Sequence, residues 1–336
     1  MREYELEVLE QYHIEPESTR KMRGAFFIDT KEGTMLLRET TISDRRALLL
    51  YTLLCRLEAS GFQNVDTPVL TAEGHLIARS RDGSRYMLKK WYDGRECEVR
   101  RENDILAAAG NLARLHRNLY WQEICSLEEK QTIRPPVGRH LKEEFLCHNR
   151  ELKKVRAFIR KRVNKGKFEY LFLESFEQMY RLAVQVSDKL EDSRYEELYR
   201  ESIAQKRLVH GDYNYHNVIL LPQGIATTNF EHFRMDIQVQ DLYYFLRKVM
   251  EKHRWRVSFG DAILNAYARG RSLNSQEMEY IALKLAYPEK FWKTANTYYH
   301  SNKVWIPEKN VEKLLLSVTQ TEEKMRFLET IFSFHL

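Results

Sequence analysis

The segment Val209-His210-Gly211-Asp212-Tyr213-Asn214-Tyr215-His216-Asn217-Val218-Ile219-Leu220 gathers His210, Asp212, Asn214, His216 and Asn217 between apolar ends. Apolar flanks around a polar centre predict a loop held between two short strands. In that setting a carboxylate at Asp212 and an amide five residues later at Asn217 can face one cleft. The first would accept a hydroxyl proton and the second would offer its carbonyl oxygen to Mg²⁺, which is the chemistry of phosphoryl transfer. A random Asp/Asn pair more often only satisfies the backbone donors of a turn. The whole string is far more specific than the pair. His210, His216 and His232 show neither the paired spacing of a zinc helix nor an acidic ligand at helical spacing.

The elements around this segment change character along the chain. Glu3 to Tyr12 predicts a short helix, and Gly24–Asp29 and Thr34–Glu39 predict two strands around the turn Lys31-Glu32-Gly33. Ser43 or Asp44 can cap a helix whose apolar positions Leu48, Leu49, Tyr51, Leu53, Leu54 and Leu57 run to a stop at Gly61. Two more strands are expected around His75–Arg79 and Tyr86–Trp91, joined by the turn Arg81-Asp82-Gly83-Ser84. Beyond Arg95 the pattern is mostly helical: Glu102–Leu119, Glu169–Leu190, Leu242–Met250, Met278–Ala286 and a last helix from Val311 to about Phe332. Lys206–Val209 is strand-like, and Pro135-Pro136 marks a loop. Arg150–Lys167 reads as a basic amphipathic helix with Leu152, Val155, Ile159 and Val163 on its apolar stripe and a basic face that is solvated, with docking of an anionic partner the less favoured alternative. Phe291, Trp292, Tyr298 and Tyr299 are expected to pack under the last helix.

Composition narrows the class. A chain of 336 residues exceeds the usual single core, and 43% hydrophobic residues with Tyr 19, Phe 16 and Trp 5 exclude wholesale disorder. Gly 13 and Pro 7 are low, which disfavours a turn-dense β-sandwich and leaves a helix-rich protein, whose first ninety residues, in the order strand, strand, helix, strand, strand, describe a small α+β lobe. The net charge of +6 is modest, so nucleic acid is not expected as a partner. Cys55, Cys97, Cys125 and Cys147 form no C-x-x-C pair and read as reduced thiols. The start Met1-Arg2-Glu3-Tyr4-Glu5 lacks an apolar signal core, and no run approaches the ~18 apolar residues of a membrane span. Synthesis in the cytoplasm is therefore expected.

His210-Gly211-Asp212 with Asn217 is similar to the H-G-D-x-x-x-x-N loop of the aminoglycoside phosphotransferase and choline kinase group, within the protein-kinase-like fold. Leu112-Ala113-Arg114-Leu115-His116 resembles the L-A-x-L-H helix of that group, and Asn229-Phe230-Glu231 stands where the group carries D-F-E. Within the group, Val209–Leu220, Phe230–Asp241 and Leu242–Lys248, with Tyr86–Gly94, look like the CotS family of spore coat proteins of endospore-forming bacteria. The resemblance implies a two-lobed, aminoglycoside phosphotransferase-like fold: a small lobe at 1–91, a hinge at 92–96 and a large helical lobe at 97–336 carrying the loop 209–220. It also implies deposition in the spore coat among other coat proteins, with ATP and Mg²⁺ as cofactors.

The same resemblance assigns roles by position, and several positions depart from the pattern. Asp212 takes the catalytic place; Asn217, Asn229 and Glu231 take the metal places; Arg38 takes that of the phosphate-clamping lysine; His210 and Asp241 support the loop. Asn229 brings a carbonyl dipole where an aspartate would bring a full charge, so Mg²⁺ and the phosphates it bridges are expected to be held weakly. Arg38 is a planar fork of different reach, and the helix from Asp44 to Ser60 offers it no acidic partner before Glu58. No glycine-rich phosphate loop surrounds Gly24. Glu231 either supplies metal charge in a rearranged site or pairs with neighbouring groups, the second being favoured. The function expected is thus a structural or assembly component of the coat with a degraded nucleotide site, effectively a pseudokinase. Its rival is an ATP-dependent phosphotransferase acting on a small-molecule hydroxyl or sugar.

Overall fold

Alternation of apolar residues builds the N-terminal sheet. A computed structural model describes residues 7–22, 24–122, 124–125, 132–301 and 307–336. Strands β1 (Ser18–Met22), β2 (Ala25–Thr30), β3 (Gly33–Glu39), β4 (Ala78–Arg79) and β5 (Arg85–Lys90) form one antiparallel sheet in the order β1-β2-β3-β5-β4. Phe26, Ile28, Met35, Leu37 and Leu88 lie on one face and pack with Val8, Leu9 and Tyr12. Because side chains alternate, the opposite face carries Leu36 beside Lys89 and Arg38 beside Met87, which are direct partners across β3 and β5. The predicted N-terminal helix is seen as a helical turn at residues 7–9; residues 3–6 lie outside the described residues.

Helix α1 (Asp44–Ala59) starts where Ser43 Oγ accepts the Arg46 N–H at 3.2 Å. It buries Ala47, Leu49, Leu50, Leu53, Leu54 and Leu57, whereas Leu48, expected on the apolar stripe, is exposed. Ser43→Ala should therefore cost about 1 kcal/mol. Urea denaturation of the two forms checks this, and equal midpoints would remove the cap from the account.

Packing groups the chain into two compact units. The first comprises Met1–Pro136, Gln205–Tyr244 and Ala266–Arg271, so the loop 209–220 shares a unit with the N-terminal sheet. It holds the short strand β6 (Arg95–Glu96), helix α2 (Glu102–Asn118) and the paired β7 (Ile124–Cys125) and β8 (Thr132–Ile133). It also holds β9 (Leu208–Val209), β10 (Val218–Leu220), β11 (Ile225–Thr227) and β12 (Arg234–Met235).

The second unit comprises Val137–Ala204, Phe245–Asn265 and Ser272–Leu336. Its core joins Leu152, Val155 and Ile159 of α3 (Leu141–Lys161) to Phe168, Phe172, Phe176 and Met179 of α4 (Lys167–Glu191), with Phe291, Tyr298 and Leu314. The aromatic set is thus core, with Trp292 stacked on His148 at 3.3 Å between centroids and only Tyr299 clearly exposed. The basic helix differs from expectation: α3 ends at Lys161, Arg162 is extended, and Val163 is 94% exposed, outside the stripe. Lys153, Lys154, Arg160 and Lys161 do form an exposed face. The single C-terminal helix is two, Glu308–Thr319 and Thr321–Phe332, joined at Gln320. Helices at Tyr195–Ala204, Val257–Ala268 and Glu289–Tyr299 were not expected from the sequence. Among the described residues, no helix is long and apolar enough to cross a membrane.

Candidate functional site

Short strands suspend the loop from both ends, as its apolar flanks predict. On one side β9 pairs with β12; on the other β10 pairs with β11 and with β6. Leu208, Val209 and Val218 are fully buried and fix these ends. Tyr213, also fully buried, anchors the middle by donating its hydroxyl to Ala108 O at 2.8 Å and meeting Asn111 Nδ2 at 3.2 Å. Gly211 has φ +84°, and a Cβ there would stand 2.2 Å from His232 O, so both backbone shape and space demand glycine.

Asp241 braces this loop. It is 1% exposed, accepts the His210 N–H at 2.6 Å on Oδ2 and the Gly211 N–H at 2.9 Å on Oδ1, and lies 3.3 Å from His116 Nε2. Burial by itself would raise the pKa of this carboxyl, but the hydrogen bond and charge of His116, with His210 and the Gly211 N–H, hold it below the usual range. The ring of His116 is held in turn by the Tyr267 hydroxyl at 2.7 Å. His116 belongs to the L-A-x-L-H segment, yet its pairing with Asp241 was not foreseen.

His210 supports the loop through backbone groups. Its Nε2 faces Thr228 O at 3.0 Å, and its Nδ1 accepts the Asp212 N–H at 3.2 Å. A carbonyl can only accept and an amide N–H can only donate, so Nε2 is the donor to Thr228 and Nδ1 the acceptor from Asp212.

The polar centre is a chain of amides around one carboxylate. Asp212, half-buried, accepts Asn214 Nδ2 at 3.0 Å on Oδ1 and Asn217 Nδ2 at 3.1 Å on Oδ2. Asn217 Nδ2 also reaches Asp212 O at 2.8 Å. Both partners are acceptors, which turns the Asn217 carbonyl oxygen the other way. That oxygen accepts Asn229 Nδ2 at 2.7 Å. Asn229 sits in the left-handed region at φ +65° and donates its backbone N–H to Asp66 Oδ2 at 2.8 Å. Asn229 therefore presents a donor to Asn217 where a metal ligand would present oxygen.

A buried ion cluster lies beside this chain, and sequence reasoning missed it. Lys89 Nζ contacts Asp66 Oδ2 at 3.2 Å and forms an ion pair with Glu231 Oε1. Burial would lower the Lys89 pKa, but the two carboxylates raise it overall. Burial, only partly offset by Lys89, pushes Asp66 up, with Glu231 adding to the rise. Glu231, also opposed by burial, is nevertheless held low by Lys89, with a smaller contribution from Arg38. Arg46 of α1 donates Nε and Nη2 to Glu231 O at 3.2 and 2.8 Å, bonds to Phe233 O, and lies 3.9 Å over the Phe233 ring. Burial lowers its pKa to about 10. Lys89 shares a strand face with Met87 and Asp66 follows buried Val65, and no local sequence pattern links either to Glu231.

Each expected residue has a definite place. Asp212, Asn217 and Asn229 are contiguous, and Asp241 and His210 hold the loop from behind. Glu231 was expected either to carry metal charge or to pair with neighbours, and its carboxylate is taken up by Lys89. Arg38 is exposed on the sheet face that carries Lys89, and Glu58 of α1 pairs with Lys90 at 2.8 Å. Among the described residues, no three His, Cys, Asp or Glu side chains gather as a metal site. As arranged, the donor set does not fit a divalent cation: one amide oxygen is occupied, the second amide presents nitrogen, and the nearby carboxylates hold an ammonium.

Comparisons with known proteins place these features in a family. Residues 5–331 match the family described as spore coat putative kinase YutH, of CotS type. No curated protein matches the sequence. Among solved structures, the chain is similar to an aminoglycoside phosphotransferase from Alicyclobacillus acidocaldarius, with TM-score 0.82, 17% identity and coverage of 97% of this chain and 94% of that one. It is also similar to an amicoumacin kinase in complex with AMP-PNP, Ca²⁺ and Ami (TM-score 0.61, 13% identity, coverage 98% and 94%). A spectinomycin phosphotransferase in complex with ADP and spectinomycin gives TM-score 0.60 at 12% identity, with coverage of 96% and 97%. At these identities the likeness shows the fold, which is the aminoglycoside phosphotransferase-like, kinase-like fold expected from the loop motif.

Proposed function

This chain belongs to the YutH family of spore coat putative kinases, and from that premise we propose that it is a spore coat component of kinase-like fold with a weakened nucleotide site. Its role in the coat is structural or in assembly, through contacts with other coat proteins. The observation that carries this reading is the Asn217–Asn229 amide pair, joined at 2.7 Å where phosphoryl transfer calls for anionic oxygen toward Mg²⁺. Asp212 keeps the position of the hydroxyl-activating carboxylate, and Arg38 that of the phosphate clamp. On the same reading, 92–96 is the hinge between a small lobe at 1–91 and a large lobe at 97–336. Fold alone does not assign catalysis. Melting with and without Mg²⁺-ATP tests the weakened site: little or no rise is expected, and a large rise would overturn it in favour of the second reading below.

One observation favours a second reading, an ATP-dependent small-molecule phosphotransferase. The Asp212 carboxylate is half-buried and oriented by two amides, as a base for a hydroxyl would need. Transfer of the terminal phosphate of ATP to a small hydroxyl compound, lost in Asp212→Asn, would establish it.

Location has its own test. A fluorescent fusion imaged through sporulation should gather as a ring around the forespore. Uniform signal in vegetative cytoplasm with no such ring would count against the coat assignment.

A further inference from the structure

Lys89 is 4% exposed and sits against two carboxylates, Asp66 and Glu231. Burying an ammonium is costly, and a strand position opposite Leu36 would accept an apolar side chain at no such cost. Asp66 meanwhile hydrogen-bonds Asn229, the residue at the metal position, and Glu231 lies two residues beyond it. Lysine thus brings positive charge to the place where two carboxylates, Asp66 and Glu231, stand together and a divalent ion could neutralise them. With Arg38 on the same sheet face and Arg46 bound to the Glu231 carbonyl, three cations surround two carboxylates. A polyphosphate approaching such a site meets no excess negative charge, whereas the two carboxylates without Lys89 would repel it unless a metal intervened.

We infer that Lys89 is the resident cation of this site, so that the chain takes nucleotide as the metal-free polyphosphate and divalent ions add nothing to its binding. This rests on the proposed nucleotide site for its ligand, but its cation part is tested without nucleotide.

The test is thermal melting of the full chain with Mn²⁺ or Mg²⁺ alone, for wild type, Lys89→Met, Glu231→Gln and the double variant. Wild type and Glu231→Gln should respond identically to metal. Lys89→Met should melt lower and recover with Mn²⁺, and adding Glu231→Gln should remove that recovery. A lysine that merely ties β5 to residues 229–231 would leave Lys89→Met equally unstable with or without Mn²⁺, which would overturn the inference. If Lys89→Met does not fold, wild type and Glu231→Gln decide: neither melting point should shift on adding Mn²⁺, and a shift in wild type that is lost in Glu231→Gln overturns the inference. ATP titrated into wild type should then bind with the same affinity in EDTA as with Mg²⁺. A gain with Mg²⁺ would refute the metal-free ligand, whereas no binding in either buffer would refute the nucleotide site and leave the metal-alone result standing.

Discussion

Asn229→Asp is expected to convert this protein into one that depends on a divalent cation. The Asn217 amide is fixed by its two bonds to Asp212, so its oxygen faces residue 229. Replacing the Asn229 donor by a carboxylate sets two acceptors against each other at a hydrogen-bonding distance. Turning the Asn217 amide to relieve this would break both bonds to Asp212. Either way the metal-free variant should lose about 1–3 kcal/mol. The left-handed backbone adds no penalty of its own, because aspartate and asparagine both tolerate it. Mg²⁺ placed between the new carboxylate at position 229 and the Asn217 oxygen would turn that repulsion into two ligands. One charge-assisted contact is worth ~1.5–3 kcal/mol, so Mg²⁺-ATP should bind the variant about ten- to a hundredfold more tightly than wild type. Melting with and without Mg²⁺, together with calorimetry, reads both effects. A variant as stable as wild type without metal, with unchanged nucleotide affinity, would mean that Asn229 is no defect.

The second large effect is structural. Asp241→Ala removes the acceptor of two backbone N–H groups and the partner of His116, all within a buried region. Breaking a buried charged network by deleting one member typically costs roughly 3–5 kcal/mol, and this substitution should fall there. Asp241→Asn should be milder, since its single amide oxygen can keep only one of the two N–H groups. The pH dependence has a definite sign. The folded pKa of Asp241 lies below its unfolded value, so its contribution is present above the unfolded pKa of ~3.9 and is lost as pH falls through the folded one. The stability gap between wild type and Asp241→Asn should therefore be full at neutral pH and narrow in acid below about pH 4. Urea unfolding across this range measures it. A gap that stays constant into acid would mean that Asp241 is not held as a carboxylate.

How much of this was legible in the sequence varies with the range of the interaction. The hairpin around Gly33, the capped start of α1 and the suspended loop 209–220 depend on local pattern and lie where it predicts. His210, Asp212 and Asn217 stand out because the loop string is specific, and Asp241 because of the resemblance; in the structure the His210 ring meets backbone groups and its N–H meets Asp241. The ion cluster was hidden because Lys89 contacts Asp66 and Glu231 across separations of 23 and 142 residues. Neighbouring residues carry no trace of such a pairing. Glu231 could not be assigned without Lys89. The break at Gln320 was missed for another reason: no Pro or Gly marks it, and both halves keep helical periodicity.

The central claim is that this kinase-like protein does not hold nucleotide through a divalent metal. Calorimetric titration of wild type with ATP, once in EDTA and once with Mg²⁺, tests it most directly. The account predicts weak binding of the same strength in both buffers. Low-micromolar binding that appears only with Mg²⁺ would contradict it and would favour the phosphotransferase reading.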